Sequence, residues 1–113
     1  MKITKKMTLM GKKGKKVISA MIDTGTSSSL LNARIARVVG VPLTGDTGEV
    51  QVPNSKVMHV IGGKLVLRYR GKVFIIRGFI SDQINCDCLL GMDFLSLFNV
   101  RIDARSGRLY FRR

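Results

Sequence analysis

The sequence predicts a mostly-β chain with one or two short helices, and three observations carry that reading. Short apolar-containing runs recur between Gly, Pro, Asn and Ser breaks, and several alternate apolar with polar residues. Helical spacing is confined to two places: Leu31, Ile35 and Val38, and the stretch from Met92 to Phe98. The chain is 113 residues long and 45% hydrophobic, enough for one domain over residues 1–113.

In order, Ile3 to Met10 and Lys16 to Ile22 read as strands joined by a hairpin at Gly11-Lys12-Lys13-Gly14-Lys15. The first helix follows, with Ser27 to Ser29 as candidate caps and Gly40 and Pro42 as its stop. Gly45-Asp46-Thr47-Gly48 is turn-like. Glu49 to Val52 and Lys56 to Val60 then form a hairpin about Pro53-Asn54-Ser55. Gly62-Gly63 introduces the alternating strand Lys64 to Tyr69. Arg70-Gly71-Lys72 turns the chain into Val73 to Ile80, apolar enough for burial on both faces. A loop from Asp82 leads to Leu89-Leu90-Gly91 and the second helix, where Asp93 sits in the first turn and suits the helix dipole. Val100 to Asp103 and Arg108 to Phe111 form a last hairpin around Ser106-Gly107.

Charge is the compositional anomaly. Twenty Lys plus Arg face seven Asp plus Glu, a formal net charge of +13. A basic, solvated face is the expectation. Nonspecific contact with nucleic acid through that face is the partner such charge allows, although no aromatic residue interleaves with the lysines to stack bases. No apolar run is long enough to span a membrane, and no signal-peptide core follows Met1-Lys2-Ile3, so no membrane partner is expected. Cys86 and Cys88 lie too close for an ordinary disulfide and read as free thiols. With His59 alone in another segment, neither a metal site nor a cofactor is expected. His59 itself reads as a structural histidine rather than a general base.

The chemically informative stretch runs from Met21 to Leu31. Asp23 stands where an apolar strand meets Gly25 and a cluster of hydroxyls. A carboxylate there must be hydrogen-bonded, paired or protonated. Thr24, Thr26 and Ser27 supply short donors, and Gly25 permits a sharp turn. Two readings stand side by side: a fixed, tuned acid, or a simple helix cap.

Asp23-Thr24-Gly25-Thr26, flanked by apolar residues and by Leu30-Leu31, resembles the active-site signature of aspartic proteases. Cys88-Leu89-Leu90-Gly91-Met92-Asp93-Phe94-Leu95 resembles the apolar-apolar-Gly element and short helix behind that loop. Its wording is similar to that of long-terminal-repeat retrotransposon and retroviral proteases. The resemblance covers nearly the whole chain. It implies a retropepsin-like closed β-barrel or sandwich with a flap hairpin, active as a twofold homodimer, since the chain offers a single Asp-Thr-Gly and the chemistry needs two carboxylates. The implied roles are catalysis by Asp23 and loop support by Thr24 and Gly25. Substrate contacts are implied for Gly25, Thr26, Ser27, Ser28 and Leu89, and for Val50, Val52, Pro53, Asn54 and Val57 of the flap.

Many retroviral members brace this loop with an arginine after the Gly and an acid after the catalytic motif. Met92 and Ser27 occupy those places here, so that ionic support is absent. The activity implied is endoproteolysis of a Gag-Pol-like polyprotein, in the cytoplasm or within a retroelement or viral particle. A domesticated dimerisation or peptide-binding module of the same fold is the alternative, and a basic nucleic-acid-binding domain a third reading.

Overall fold

The first hairpin shows how the residue pattern sets the fold. In the computed structural model, which describes residues 3–51 and 56–111, β1 (Ile3–Gly11) and β2 (Gly14–Ile22) pair antiparallel about Lys12 and Lys13. Met7, Leu9, Ile18 and Ala20 are buried, following the two-residue period that sends alternate side chains to one face.

β3 (Leu30–Asn32) runs directly into α1 (Ala33–Val39). The helix therefore begins later than the spacing predicts, and Leu31 is a strand residue. Its N-cap is Asn32, whose Oδ1 accepts the Arg34 N–H at 2.9 Å; Ser27 to Ser29 lie upstream, before β3. The inward face is Ile35, Ala36 and Val39, while Val38 is 67% exposed. Gly40 ends the helix in the left-handed region, φ 78°, where a side chain would be strained. The N–H groups of Lys12 and Lys13 donate to the Gly40 and Val39 carbonyls at 2.9 and 2.8 Å, so the hairpin tip closes the helix end.

β4 (Leu43–Gln51) and β5 (Val57–Tyr69) form the arm whose tip, with Val52, Pro53 and Asn54, lies outside the described residues. Two expectations change here. Gly45 to Gly48 belong to β4 rather than to a turn: the register shifts between Leu43 and Thr47, and Gly45 takes φ 88°, so an irregularity bends the strand without ending it. Gly62 and Gly63 likewise sit inside an unbroken β5. β6 (Lys72–Ser81) is buried on one face only. Phe74 and Ile76 point inward, while Val73 and Ile75 are about half exposed on the outside of the barrel wall.

β7 (Cys88–Leu90) and α2 (Met92–Leu97) follow, then a separate two-stranded sheet of β8 (Val100–Ile102) and β9 (Leu109–Phe111). The order β1-β2-β7-β3-β6-β5, with β5 pairing back to β1, closes a six-stranded barrel from which β4 extends. Leu9, Leu65, Leu67, Ile76 and Leu90 fill it. Phe74 packs edge-on to Phe94 and Phe98 and stacks on Phe111, which ties α2 and the last hairpin to the barrel. No helix among the described residues is long and apolar enough to cross a membrane.

Candidate active site

β2 delivers Asp23 to the barrel rim beside β7, and the Asp23 N–H continues the parallel ladder by donating to the Leu90 carbonyl at 2.9 Å. The chain then turns. The Gly25 N–H donates to Asp23 Oδ1 and the Thr26 hydroxyl to Oδ2, each at 2.9 Å, so both carboxylate oxygens are held by the loop they begin. A Cβ on Gly25 would stand 3.2 Å from Oδ1, too tight for the carboxylate to keep its place. Asp23 is thus an oriented, half-buried acid, and not the cap of α1, which starts ten positions later at Ala33.

Beneath the loop lies a clamp that sequence reasoning missed. The Met92 and Asp93 N–H groups donate to the Thr26 and Ser27 carbonyls at 2.8 and 3.1 Å. Ser29, fully buried, donates its N–H to Asp93 Oδ2 at 2.9 Å and its hydroxyl to Oδ1 at 2.7 Å, and the same hydroxyl accepts the Gly91 N–H at 3.1 Å. Gly91 admits this closeness, because a Cβ there would collide with the Thr26 carbonyl oxygen. Asp93 therefore does more than complement a helix dipole. A charge-assisted Ser29–Asp93 pair stands where the ionic brace of many retroviral members is missing. The available signal was Asp93 itself, a carboxylate two residues past the glycine of an apolar run.

Gly25, Thr26, Ser27 and Ser28 line a cavity of about 290 Å3 together with Val50 of the arm. Gly48, Glu49, Val60 and Phe79 complete it. Alternation could have found Val60: it faces Gly48 across the ladder, two residues from the Val50–Met58 pair. Phe79 had no comparable signal, because its place depends on β6 pairing in parallel with β3. Leu89 packs nearby with Leu30, Met58 and Val60 in a small apolar cluster that also includes Val50. Val57 falls on the other face of the arm, half exposed opposite Gln51, and within one chain turns away from the cavity.

The remaining titratable groups have other work. Asp87 accepts the Ser19 N–H at 2.9 Å. The Arg77 guanidinium beside Asp46 holds that carboxyl below its ordinary value, helped by the Thr44 hydroxyl, and the Ser106 hydroxyl does the same for Asp103 in the last turn. Burial pushes the Cys88 thiol far up and, to a lesser extent, Cys86, which keeps both neutral and poor as nucleophiles or ligands. His59 lies exposed on the arm, its Nδ1 3.6 Å from Glu49. Among the described residues no group of three or more His, Cys, Asp or Glu side chains could hold a metal ion.

A closed barrel with Asp-Thr-Gly at a strand-to-loop corner, backed by an apolar-apolar-Gly turn and short helix, is the retropepsin-like aspartic protease fold. The family model described as "gag-polyprotein putative aspartyl protease" matches residues 10–97, and the chain belongs to that family. No curated protein sequence matches it. Solved structures do. The retroviral protease-like domain of Ddi1 from Leishmania major superposes with a TM-score of 0.75 at 16% identity, over 100% of this chain and 90% of that one. EIAV protease, solved with the inhibitor HBY-793, gives 0.71 at 13% identity over 91% and 93%. A retropepsin-like aspartic protease from Rickettsia conorii gives 0.54 at 26% identity over 85% and 73%.

Proposed function

We propose that the protein is an aspartic endopeptidase whose active site forms when two chains bring their Asp23 carboxylates together on a twofold axis. The observation that carries this is the doubly hydrogen-bonded Asp23, held by Gly25 and Thr26, which themselves line the cavity beneath the arm. Two carboxylates at such a site cannot both ionise readily and share one proton, behaviour for which aspartic proteases are the standard example. The ionised member takes a proton from water as its oxygen bonds to the scissile carbonyl carbon. The protonated member polarises that carbonyl and then gives its proton to the leaving amine as the C–N bond breaks.

Support for the dimer comes from the far side of the loop. Thr24 lines a cavity of about 560 Å3 with Met92, Asn99 and Tyr110, beside the small β8–β9 sheet. Met92 and Tyr110 are exposed in its lining, and a second copy would cover them. Thr24 then braces the two loops across the axis. Substrate binds extended between the loop and the arm: the Gly25 carbonyl accepts from its backbone, and Thr26, Ser27, Ser28, Val50 and Leu89 contact its side chains. For Val52, Pro53 and Asn54, substrate contact rests on the family resemblance alone. A Gag-Pol-like polyprotein, processed in the cytoplasm or inside an assembling particle, is the substrate that fits the family. The test is incubation with a mixed peptide library from acidic to neutral pH. Discrete cleavage within extended peptides is expected, whereas a dimeric protein that cuts none would point to the peptide-binding module.

The basic surface is given to nonspecific nucleic-acid contact in the same reading. Residues 3–22 and 57–81 contain no Asp or Glu, and alternation sets Lys6, Lys15, Lys64 and Arg68 on the outer barrel wall. Among the described residues, Arg77 is the only lysine or arginine within ion-pair distance of a carboxylate. Binding to a single-stranded oligonucleotide should weaken as salt rises, and changing those four residues to Gln should flatten the log–log slope by about 3. An unchanged slope would remove this contact.

A further inference from the structure

A second concavity runs along α1, away from the catalytic loop. Three cavities of about 470, 220 and 430 Å3 all share Ala33 and Arg37 as lining and succeed one another along the helix. The first is lined by Ile84, which also packs in the cluster with Val50, Phe79 and Leu89, so the groove and the substrate cleft lie on either side of that residue. The wall between them is the 82–87 loop. Asn32 Nδ2 fastens it by donating to the Ile84 and Cys86 carbonyls at 3.3 and 3.4 Å.

The groove is apolar below and basic above. Ala36 and Ile80 lie buried in its floor, with Ile61 and Leu43 exposed at 46 and 65%. Arg34 and Arg37 stand on the helix rim, Lys13 guards the far end and His59 flanks the middle. The carboxylate that lines it, Asp82, is not within ion-pair distance of either arginine. An occupant would thus bury apolar side chains while placing carboxylates against two unneutralised guanidinium groups. A second copy of this groove brings the same charges and does not satisfy them. Bare phosphate backbone would leave Ile61 and Leu43 uncovered.

We propose that this groove is an exosite for the polypeptide substrate. It takes a segment outside the scissile stretch in which acidic residues alternate with aliphatic ones. The inference rests on the peptidase reading, and its test separates the two. Binding is measured by fluorescence anisotropy on the Asp23→Asn protein, using a labelled octapeptide alternating Glu with Leu and a control alternating Gln with Leu. The Glu peptide should bind at least about tenfold tighter, and Arg34→Gln/Arg37→Gln should remove the difference without changing the melting temperature, since both side chains are exposed. In parallel, a peptide that the wild type cuts is extended with either octapeptide. The acidic extension should raise kcat/KM about tenfold through KM, and the double variant should lose that gain while cutting the unextended peptide at the wild-type rate.

Equal binding of the two octapeptides, or a gain that survives the double variant, overturns the exosite and leaves the peptidase standing. Glutamate-selective binding without cleavage of any peptide overturns the peptidase instead. An oligonucleotide that displaces the label more tightly than the Glu peptide does would assign the groove to nucleic acid and overturn the proposal.

Discussion

Asp23→Asn should fold, dimerise and bind peptide as the wild type does, yet cleave at least about 1,000-fold more slowly. The amide oxygen of Asn can still accept from the Gly25 N–H. The Thr26 hydroxyl, which now donates to Oδ2 at 2.9 Å, can rotate to accept from the amide nitrogen instead. Local geometry therefore survives while the proton-accepting carboxylate is lost. Circular dichroism and sedimentation alongside the cleavage assay check this. A large loss of structure would make Asp23 a structural residue, and retained cleavage would make it a bystander.

Asp93→Ala should have the largest effect on stability of any charge substitution. It strips the acceptor from the Ser29 N–H and from the Ser29 hydroxyl at a site where Ser29 is fully buried. Each orphaned donor costs on the order of 1–3 kcal/mol, so a loss of about 3 kcal/mol is expected in urea denaturation. That is a large part of what holds a small domain together. Asp93→Asn keeps one acceptor oxygen and should cost about half as much. Because the clamp holds the loop that carries Asp23, both variants should also lose kcat at temperatures where they remain folded. Comparison must be made at one protein concentration, since association adds to apparent stability. If Asp93→Ala melts with the wild type, the clamp is incidental.

How much of this was legible in the sequence depends on whether the information was local. The apolar-containing runs Ile3 to Met10 and Lys16 to Ile22 about Gly11 to Lys15 marked the first hairpin, and the Asp-Thr-Gly with its downstream Leu-Leu-Gly marked the catalytic corner. The helix start was misjudged for a local reason: Leu31 fits helical spacing equally well as the middle residue of β3, and only pairing with β6 and β7 decides. The glycines of β4 and β5 look like breaks, because a sequence does not show that a strand can bend at a bulge and continue. Val73 and Ile75 look like core residues by type alone. Their exposure follows from their place on the outer face of the barrel wall. The Ser29–Asp93 clamp and the part played by Phe79 join residues far apart in the chain, so they were visible only after the topology closed.

The most direct test of a site shared by two chains is to titrate wild-type protein with Asp23→Asn at constant total concentration and follow peptide cleavage. If each site takes one Asp23 from each chain, mixed dimers are inactive, and an equal mixture should retain about one quarter of the wild-type rate. An equal mixture that retains about one half, falling linearly across the titration, would mean that each chain works alone and would contradict the paired-carboxylate mechanism.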